Sequence, residues 1–212
     1  RPYRPHASAT DASSCDPPGM IDQSKNATNP GDVVKHASLA WVMRHVVELG
    51  HVIAYIETHA GAGAYEVVPD ASRAYLAAGL PPSDGSPTEP YFSALRSEMM
   101  WASKGLRCPG SPLIAAHQLR HDHRHSVTLF DIDPAACASL AALLPKARVV
   151  NGTALDESPI NPVVAGDNRC PIVLVDPFGV CPTDDSASLA QGLVSRMALD
   201  RIVRRVCSAA GK

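Results

Sequence analysis

His51–Tyr65 reads HVIAYIETHAGAGAY, and the fold is decided in this stretch. Val52 to Ile56 is a short apolar run rich in β-branched and aromatic side chains, the pattern of a buried strand in a parallel sheet. Glu57 ends the run, and Gly61-Ala62-Gly63 turns the chain sharply. Glycine serves there because a loop leaving a buried strand often uses positive φ, and because a missing Cβ lets a ligand come close to the backbone. A strand, an acid and a Gly-x-Gly turn in succession point to a nucleotide-like cofactor on the carboxyl edge of a sheet. The alternative is a tight strand-to-helix turn that holds no ligand.

The kind of cofactor can be narrowed. A dinucleotide fingerprint places a third glycine three residues after the second, and that position is Glu66. A carboxylate there would repel a pyrophosphate, and the Lys-Ser/Thr ending of a P-loop is absent. The loop suits a ligand without phosphates, such as S-adenosylmethionine.

Working outward, Asn29-Pro30 predicts the start of a helix, with Asn29 as N-cap, Pro30 in the first turn and Asp32 favouring the helix dipole. Val33, Val34, Ala37, Ala40, Trp41, Val46 and Val47 form its apolar face, and Gly50 closes it. Lys35, His36, Arg44 and His45 fall off that stripe, and for Lys35 and His36 the plain alternative is a solvated face. Lys35 and His36 nevertheless stand close to the cofactor edge. Residues 66–108 read as an inserted cap with an irregular tip at 81–87, and Tyr91 to Ser103 as a helix turning Phe92, Leu95, Met99 and Met100 inward. Pro109-Gly110-Ser111-Pro112 predicts a second capped helix start, with Ser111 as N-cap of a helix through Leu119; its free hydroxyl and N–H groups favour a carboxylate.

His117, His121, His123 and His125 lack a metal-site context and read, with Arg120 and Arg124, as a solvated basic turn; no metal is expected. Ser126 to Phe130 is the second strand. Asp131 at its end is placed to accept hydrogen bonds from ribose hydroxyls, the long offset from the glycine loop being explained by the insertion. Ala135 to Leu144 reads as a helix, Arg148 to Val150 as a third strand, and Asn151-Gly152-Thr153-Ala154 as a turn suited to an adenine edge. Ile172 to Val175 is the fourth strand, ending in Asp176-Pro177-Phe178-Gly179, a carboxylate, a rigid proline and an aromatic suited to gripping a planar amino group. The alternative there is a plain strand-ending turn. Ser186 to Ser208 reads as a last helix.

Composition sets the outer bounds. The chain has 212 residues, 45% hydrophobic and 19% charged, with a net charge of −2, so any nucleic-acid surface must be a local patch. Six cysteines without a C-x-x-C pair fit reduced thiols in a cytoplasmic protein. No apolar run approaches the ~20 residues of a membrane span, and the first 28 residues show no signal-peptide core. The expected organisation is a mobile arm over 1–28, a core over 29–180 with its insertion at 66–108, and a C-terminal helix over 181–212. The chain begins at Arg1, and Met20 is a candidate natural start.

Taken in order, Asn29-Pro-Gly-Asp32-Val-Val-Lys35-His36, Tyr55-Ile-Glu57-Thr-His59-Ala-Gly61-Ala-Gly63, Pro109-Gly-Ser111-Pro-Leu-Ile and Val175-Asp176-Pro177 resemble the bacterial 23S rRNA adenine-N6 methyltransferase family. The resemblance spans residues 29–180. It implies a class I S-adenosylmethionine methyltransferase of Rossmann-like α/β fold, with cofactor contacts from His36, His59, Ser111, Asp131 and the Thr153 turn, to which the strand-and-loop reading adds Glu57, Gly61 and Gly63. It also implies catalysis by Asp176, Pro177 and Phe178, and substrate contacts from Lys35 and Phe178. The family's Asp-Pro-Pro-Tyr is Asp176-Pro177-Phe178-Gly179 here, and its C-terminal strands have no counterpart after Gly179. The Asp-Pro-Phe-Gly ending resembles the three-Cys-motif partner family instead. The expected architecture is a mostly parallel sheet of order 3-2-1-4 with helices on both faces. The expected reaction is methyl transfer to an adenine amino group in RNA or DNA. The alternative is an inert cofactor-binding or interaction protein. The edge of the fourth strand should be covered by the last helix, by a second copy of the chain, or by a partner.

Overall fold

In a computed structural model the described residues are 27–67, 85–102, 105–154 and 169–176, together with the backbone of 180–181 and 194–195. Their central element is a four-stranded sheet. It is built from β1 (Ile53–Glu57), β5 (Ser126–Asp131), β6 (Arg148–Asn151) and β7 (Cys170–Leu174), in the order β6-β5-β1-β7. Every pairing is parallel, with Glu57 opposite Leu129 on one side and Leu174 on the other. This is the expected 3-2-1-4 order. It follows from runs of β-branched side chains that must be buried on both faces, which a parallel sheet provides. The chain moves outward from β1 to β6 and then returns to β7, so the carboxyl end of β1 lies where the order reverses, the place where open α/β sheets form a crevice.

The period of two along β1 sorts its side chains. Ile53 and Tyr55 join one buried cluster with Leu129, Leu39, Met43, Ala115, Leu119 and Leu140, while Ile56 joins Phe130 and Ala154 in another. Among the described residues, the buried helix side chains Leu39, Met43, Ala115, Leu119 and Leu140 all belong to the first cluster. Glu57 therefore continues the Tyr55 row and faces the same side.

Helix α1 (Pro30–Glu48) starts as expected: the Asn29 side chain accepts the Asp32 N–H at 3.0 Å. Its buried face differs from the predicted one. Ala37 and Ala40 meet the inserted region and Leu39 and Met43 meet the sheet, whereas Val34 and Trp41 are exposed. A helix wedged between two clusters buries a wider arc than a single stripe, and this arc takes in His36, which is only 5% exposed. The plain alternative of a solvated face therefore does not hold for His36.

The insertion holds more order than an irregular cap. Strands β2 (Ala64–Val67), β3 (Met100–Ala102) and β4 (Gly105–Pro109) form an antiparallel sheet of order β2-β4-β3. Helix α2 (Glu89–Glu98) stops before Met100, so Met100 lies in a strand rather than on the predicted helix. Tyr91, Ala94 and Leu95 carry the buried face of α2, while Phe92 and Met99 are partly buried against it. Helix α3 (Ser111–Leu119) and helix α4 (Pro134–Leu143) complete the described elements, with β8 (Val180–Cys181) pairing in parallel with β9 (Val194–Ser195). That β9 strand interrupts the predicted last helix, consistent with a β-branched Val194 two residues after Gly192. The rest of that helix, the tip at 81–84 and residues 1–26 of the arm lie outside the described residues, while Ala27 and Thr28, expected at the end of a mobile arm, are buried at 8% and 3% exposure. In the described sheet β7 is an edge strand. No helix among the described residues is long and apolar enough to cross a membrane.

Candidate functional site

The loop after β1 is stitched across the sheet edge. Thr58 donates its N–H to the Leu174 carbonyl at 3.1 Å, and Ala60 donates to the Phe130 carbonyl at 2.9 Å. Gly61 then donates to Asp131 Oδ2 at 2.7 Å, while Asp131 Oδ1 accepts the Asp133 N–H at 2.9 Å. Asp131 thus shapes the glycine loop, and with four lone-pair sites on its carboxylate it keeps two for a ligand. Gly152 donates to the Asp131 carbonyl at 2.8 Å, which draws the turn carrying Thr153 to the same edge.

The two glycines of the loop differ from the expectation in one respect. Both have positive φ, 60° at Gly61 and 80° at Gly63, as expected. A Cβ on Gly63, however, would lie 2.8 Å from a methyl of Leu140. The missing side chain at Gly63 lets the loop pack on α4, not a ligand approach the backbone.

Beneath the loop, Glu57 is completely buried. Tyr55 donates its phenol to Glu57 Oε2 at 2.8 Å, and Ser111 lies 2.5 Å from Oε1 through its hydroxyl. Burial, and after it the nearby Asp176 charge, pushes the Glu57 carboxyl up to about 8 against the hydroxyls and Lys35. The Ser111 result corrects a prediction. Gly110 is the N-cap of α3, Ser111 is its first helical residue, and the Ser111 hydroxyl is engaged with Glu57. Gly110 suits this place because it approaches the Gly63 carbonyl, to which it donates at 2.8 Å, and a Cβ on it would meet the Tyr65 ring at 3.0 Å.

On the other flank, Lys35 reaches from α1 to the tip of β7. Its Nζ bonds Asp176 Oδ2 at 2.6 Å and Asp32 Oδ1 at 2.8 Å. Burial opposes the Lys35 charge, but the two carboxylates more than offset it and raise its pKa. The Asp176 side chain remains 38% exposed and can meet a ligand. His36 is held near pH 4, first by burial and then by the Lys35 charge, so it is neutral. Burial likewise lowers His59, whose Nδ1 lies 2.7 Å from the Thr58 hydroxyl.

The fold therefore unites Lys35 with Asp176, Glu57 with Ser111, and Gly61 with Asp131, all at the edge where β1, β5 and β7 end. His36 lies within electrostatic reach of Asp176, and His59 within reach of both Asp131 and Asp176. Thr153 follows β6 at the same edge. Pro177 and Phe178 lie outside the described residues. Two contributors escaped the sequence reading: the Tyr55 phenol, which sits two residues before Glu57 on the same strand row, and Asp32, placed one helical turn from Lys35. The histidine cluster is also drier than predicted, since His117 is only 7% exposed and contacts Glu98. His125 Nδ1 accepts the Ile53 N–H at 2.9 Å and anchors the start of β1. No group of residues that could hold a metal ion occurs among the described residues.

A mostly parallel α/β sheet with its polar groups gathered at the β1 switch point defines the class of fold. A particular solved structure shares it: protein LPL1258 from Legionella pneumophila str. Philadelphia 1, placed in the family DUF519, at a TM-score of 0.62 and 19% identity. The match covers 85% of this chain and 66% of that one, so the chain spans just under two thirds of its neighbour's length. No protein-family model matches the chain, and no curated protein matches it significantly.

Proposed function

We propose that this edge binds S-adenosylmethionine and that the protein transfers its methyl group to the exocyclic amino nitrogen of adenine in nucleic acid, with 23S rRNA as the substrate the motif resemblance favours. One observation carries the reading: two carboxylates, Asp131 and Asp176, flank the exit of β1, one tied into the glycine loop and the other held out by Lys35. The residues fit such a cofactor. Asp131 keeps acceptor sites for vicinal ribose hydroxyls, the loop carries no phosphate-binding lysine, and His36 and His59 are neutral polar neighbours.

When bound, the cofactor supplies an electrophilic methyl on a sulfonium. The chain's own residues handle the nucleophile. An adenine amino nitrogen is weak because its lone pair is delocalised into the ring. Lys35 holds Asp176 by Oδ2 and leaves Oδ1 to accept an amino hydrogen, which favours pyramidal nitrogen and positions it for attack in line with the methyl–sulfur bond. Phe178, two residues on, is the stacking surface for a base taken out of its helix. Once the new bond has made the nitrogen acidic, its proton passes to Asp176 Oδ1, which already accepts it in a hydrogen bond, and from there to solvent.

The test has two stages: calorimetric titration with S-adenosylmethionine, then tritium transfer from the labelled cofactor to total RNA and to DNA. Binding followed by label in nucleic acid is expected. Absence of binding overturns the assignment. Saturable binding with no transfer to either polymer replaces it with the inert cofactor-binding protein.

A further inference from the structure

Glu57 is a buried acid that the proposed reaction does not use, and its surroundings are unusual. The carboxyl is 0% exposed, and both its described partners are hydroxyls, Tyr55 on Oε2 and Ser111 on Oε1. The charged or titratable groups that face it are Tyr55 and Tyr65 from β1 and β2, Asp176 beyond β7, and Lys35 from α1. Tyr55 is itself pushed well above its ordinary value by burial and by Glu57, so it gives up no proton near neutrality. Among the described residues Lys35 is the sole cation in this set, and it is already shared by Asp32 and Asp176. A carboxylate buried without a cation of its own is strongly disfavoured.

Protonation matters because it decides the direction of the Ser111 hydrogen bond. An ionised Glu57 can only accept, so both hydroxyls must donate to it and the Ser111 oxygen can then only accept from anything else. A neutral Glu57 accepts from Tyr55 at Oε2 and donates its own proton from Oε1 to Ser111. The Ser111 hydroxyl proton is then released to a second acceptor, at the first residue of α3.

We propose that Glu57 is a positioning residue which works in its neutral form, turning Ser111 into a hydrogen-bond donor for an anionic ligand group, and that loss of the Glu57 proton reverses this polarity and weakens the ligand. The inference rests on Ser111 as a contact of the cofactor in the function proposed above, and it identifies the ligand group as a carboxylate, such as that of the methionine moiety. It also gives the site a pH response. Burial pushes the Glu57 carboxyl up to about 8, so affinity should be full at neutral pH and fall on the alkaline side.

The ligand arm is calorimetric titration with S-adenosylhomocysteine from about pH 6 to about pH 9, on the wild type, Glu57→Gln and Ser111→Ala. The wild type should lose roughly tenfold in affinity across the titration, the equivalent of one hydrogen bond to a charged group. Glu57→Gln, whose amide donates permanently to Ser111 while its carbonyl accepts from Tyr55, should lose that alkaline decline. Ser111→Ala should start weaker and share its flat profile. A wild-type profile no steeper than that of Glu57→Gln overturns the proposal. The proton is read separately by infrared spectroscopy on ligand-free protein. A protonated-carboxyl band, assigned by its loss in Glu57→Gln, should persist at neutral pH and bleach above about pH 8. Lack of that band overturns the proposal even if ligand binds. The band without any binding of S-adenosylhomocysteine overturns the cofactor reading and, with it, the role given to Ser111.

Discussion

The ends of β1 and β7 are neighbours in register, Glu57 standing opposite Leu174, yet the carboxylates at the two tips live in opposite environments. Glu57 is sealed off, satisfied by hydroxyls alone, and pushed up to about 8. Asp176, two residues beyond Leu174, keeps 38% of its side chain exposed and is gripped by a lysine. The difference arises from packing. β1 is the central strand with a neighbour on each side, and α3 is laid across its end. β7 is an edge strand of the described sheet, so its tip opens toward solvent. One sheet edge thus carries a sealed carboxyl held by hydroxyls and an exposed one held by a lysine, and the roles proposed for the two follow that division.

Breaking the exposed member should have the largest effect. Asp176→Ala is expected to lower methyl transfer by ~100-fold or more while S-adenosylmethionine affinity changes only a few-fold, because its hydrogen bonds strengthen as charge develops on the nitrogen. Single-turnover rates beside calorimetric affinities will check the split. An equal loss in both would assign Asp176 to cofactor binding.

Breaking the buried member should be felt in stability. Glu57→Leu leaves the Tyr55 and Ser111 hydroxyls without their shared hydrogen-bond partner, at about 2–4 kcal/mol by denaturant titration. The pH dependence has a defined sign. An acid with a raised folded pKa binds its proton more tightly in the folded state, so its stabilisation is full below the ordinary carboxyl range and is lost as pH rises to about 8. His36, lowered from 6.5 to about 4, acts in the other direction: its contribution is full above 6.5 and is lost as pH falls toward 4. The two slopes oppose each other below pH 6.5, so the Glu57 slope stands clear between 6.5 and about 8. Wild-type stability should decline in that window, and Glu57→Leu should flatten it.

Smaller effects sharpen the picture of the loop between the two acids. Asp131→Ala should weaken S-adenosylmethionine by ~1.5–3 kcal/mol, the range for hydrogen bonds to charged groups, and unchanged affinity in a folded variant would move the ribose elsewhere. Gly63→Ala imposes a side chain at a φ of 80° and presses on Leu140, at a cost of ~1–2 kcal/mol in thermal unfolding. Its effect on affinity should follow only from the altered loop.

The strand order was legible in the sequence because four short apolar, β-branched runs, the first three with capped helix starts between them, leave few other arrangements. Asp131 and Asp176 were legible for the same reason: each is the first acid after such a run. The antiparallel sheet of the insertion was not, since Gly105-Leu-Arg-Cys-Pro109 mixes a glycine, a charge and a proline in a strand that carries little β signal. Ser111 was misread as a cap because local preference sees a hydroxyl before a proline and cannot see Glu57, 54 positions away in sequence. The burial of His36 was not legible because its helix packs on two bodies, and one stripe of apolar residues describes contact with only one. The Lys35–Asp176 pair joins residues separated by 141 positions, and only the fold brings them together.

The most direct test of the account is a crystal structure of the protein soaked with S-adenosylhomocysteine. The account predicts the ribose hydroxyls on the Asp131 carboxylate above Gly61, the amino-acid carboxylate at Ser111, and the sulfur facing Asp176. A ligand bound away from the ends of β1, β5 and β7, or one whose sulfur is turned away from Asp176, would contradict it.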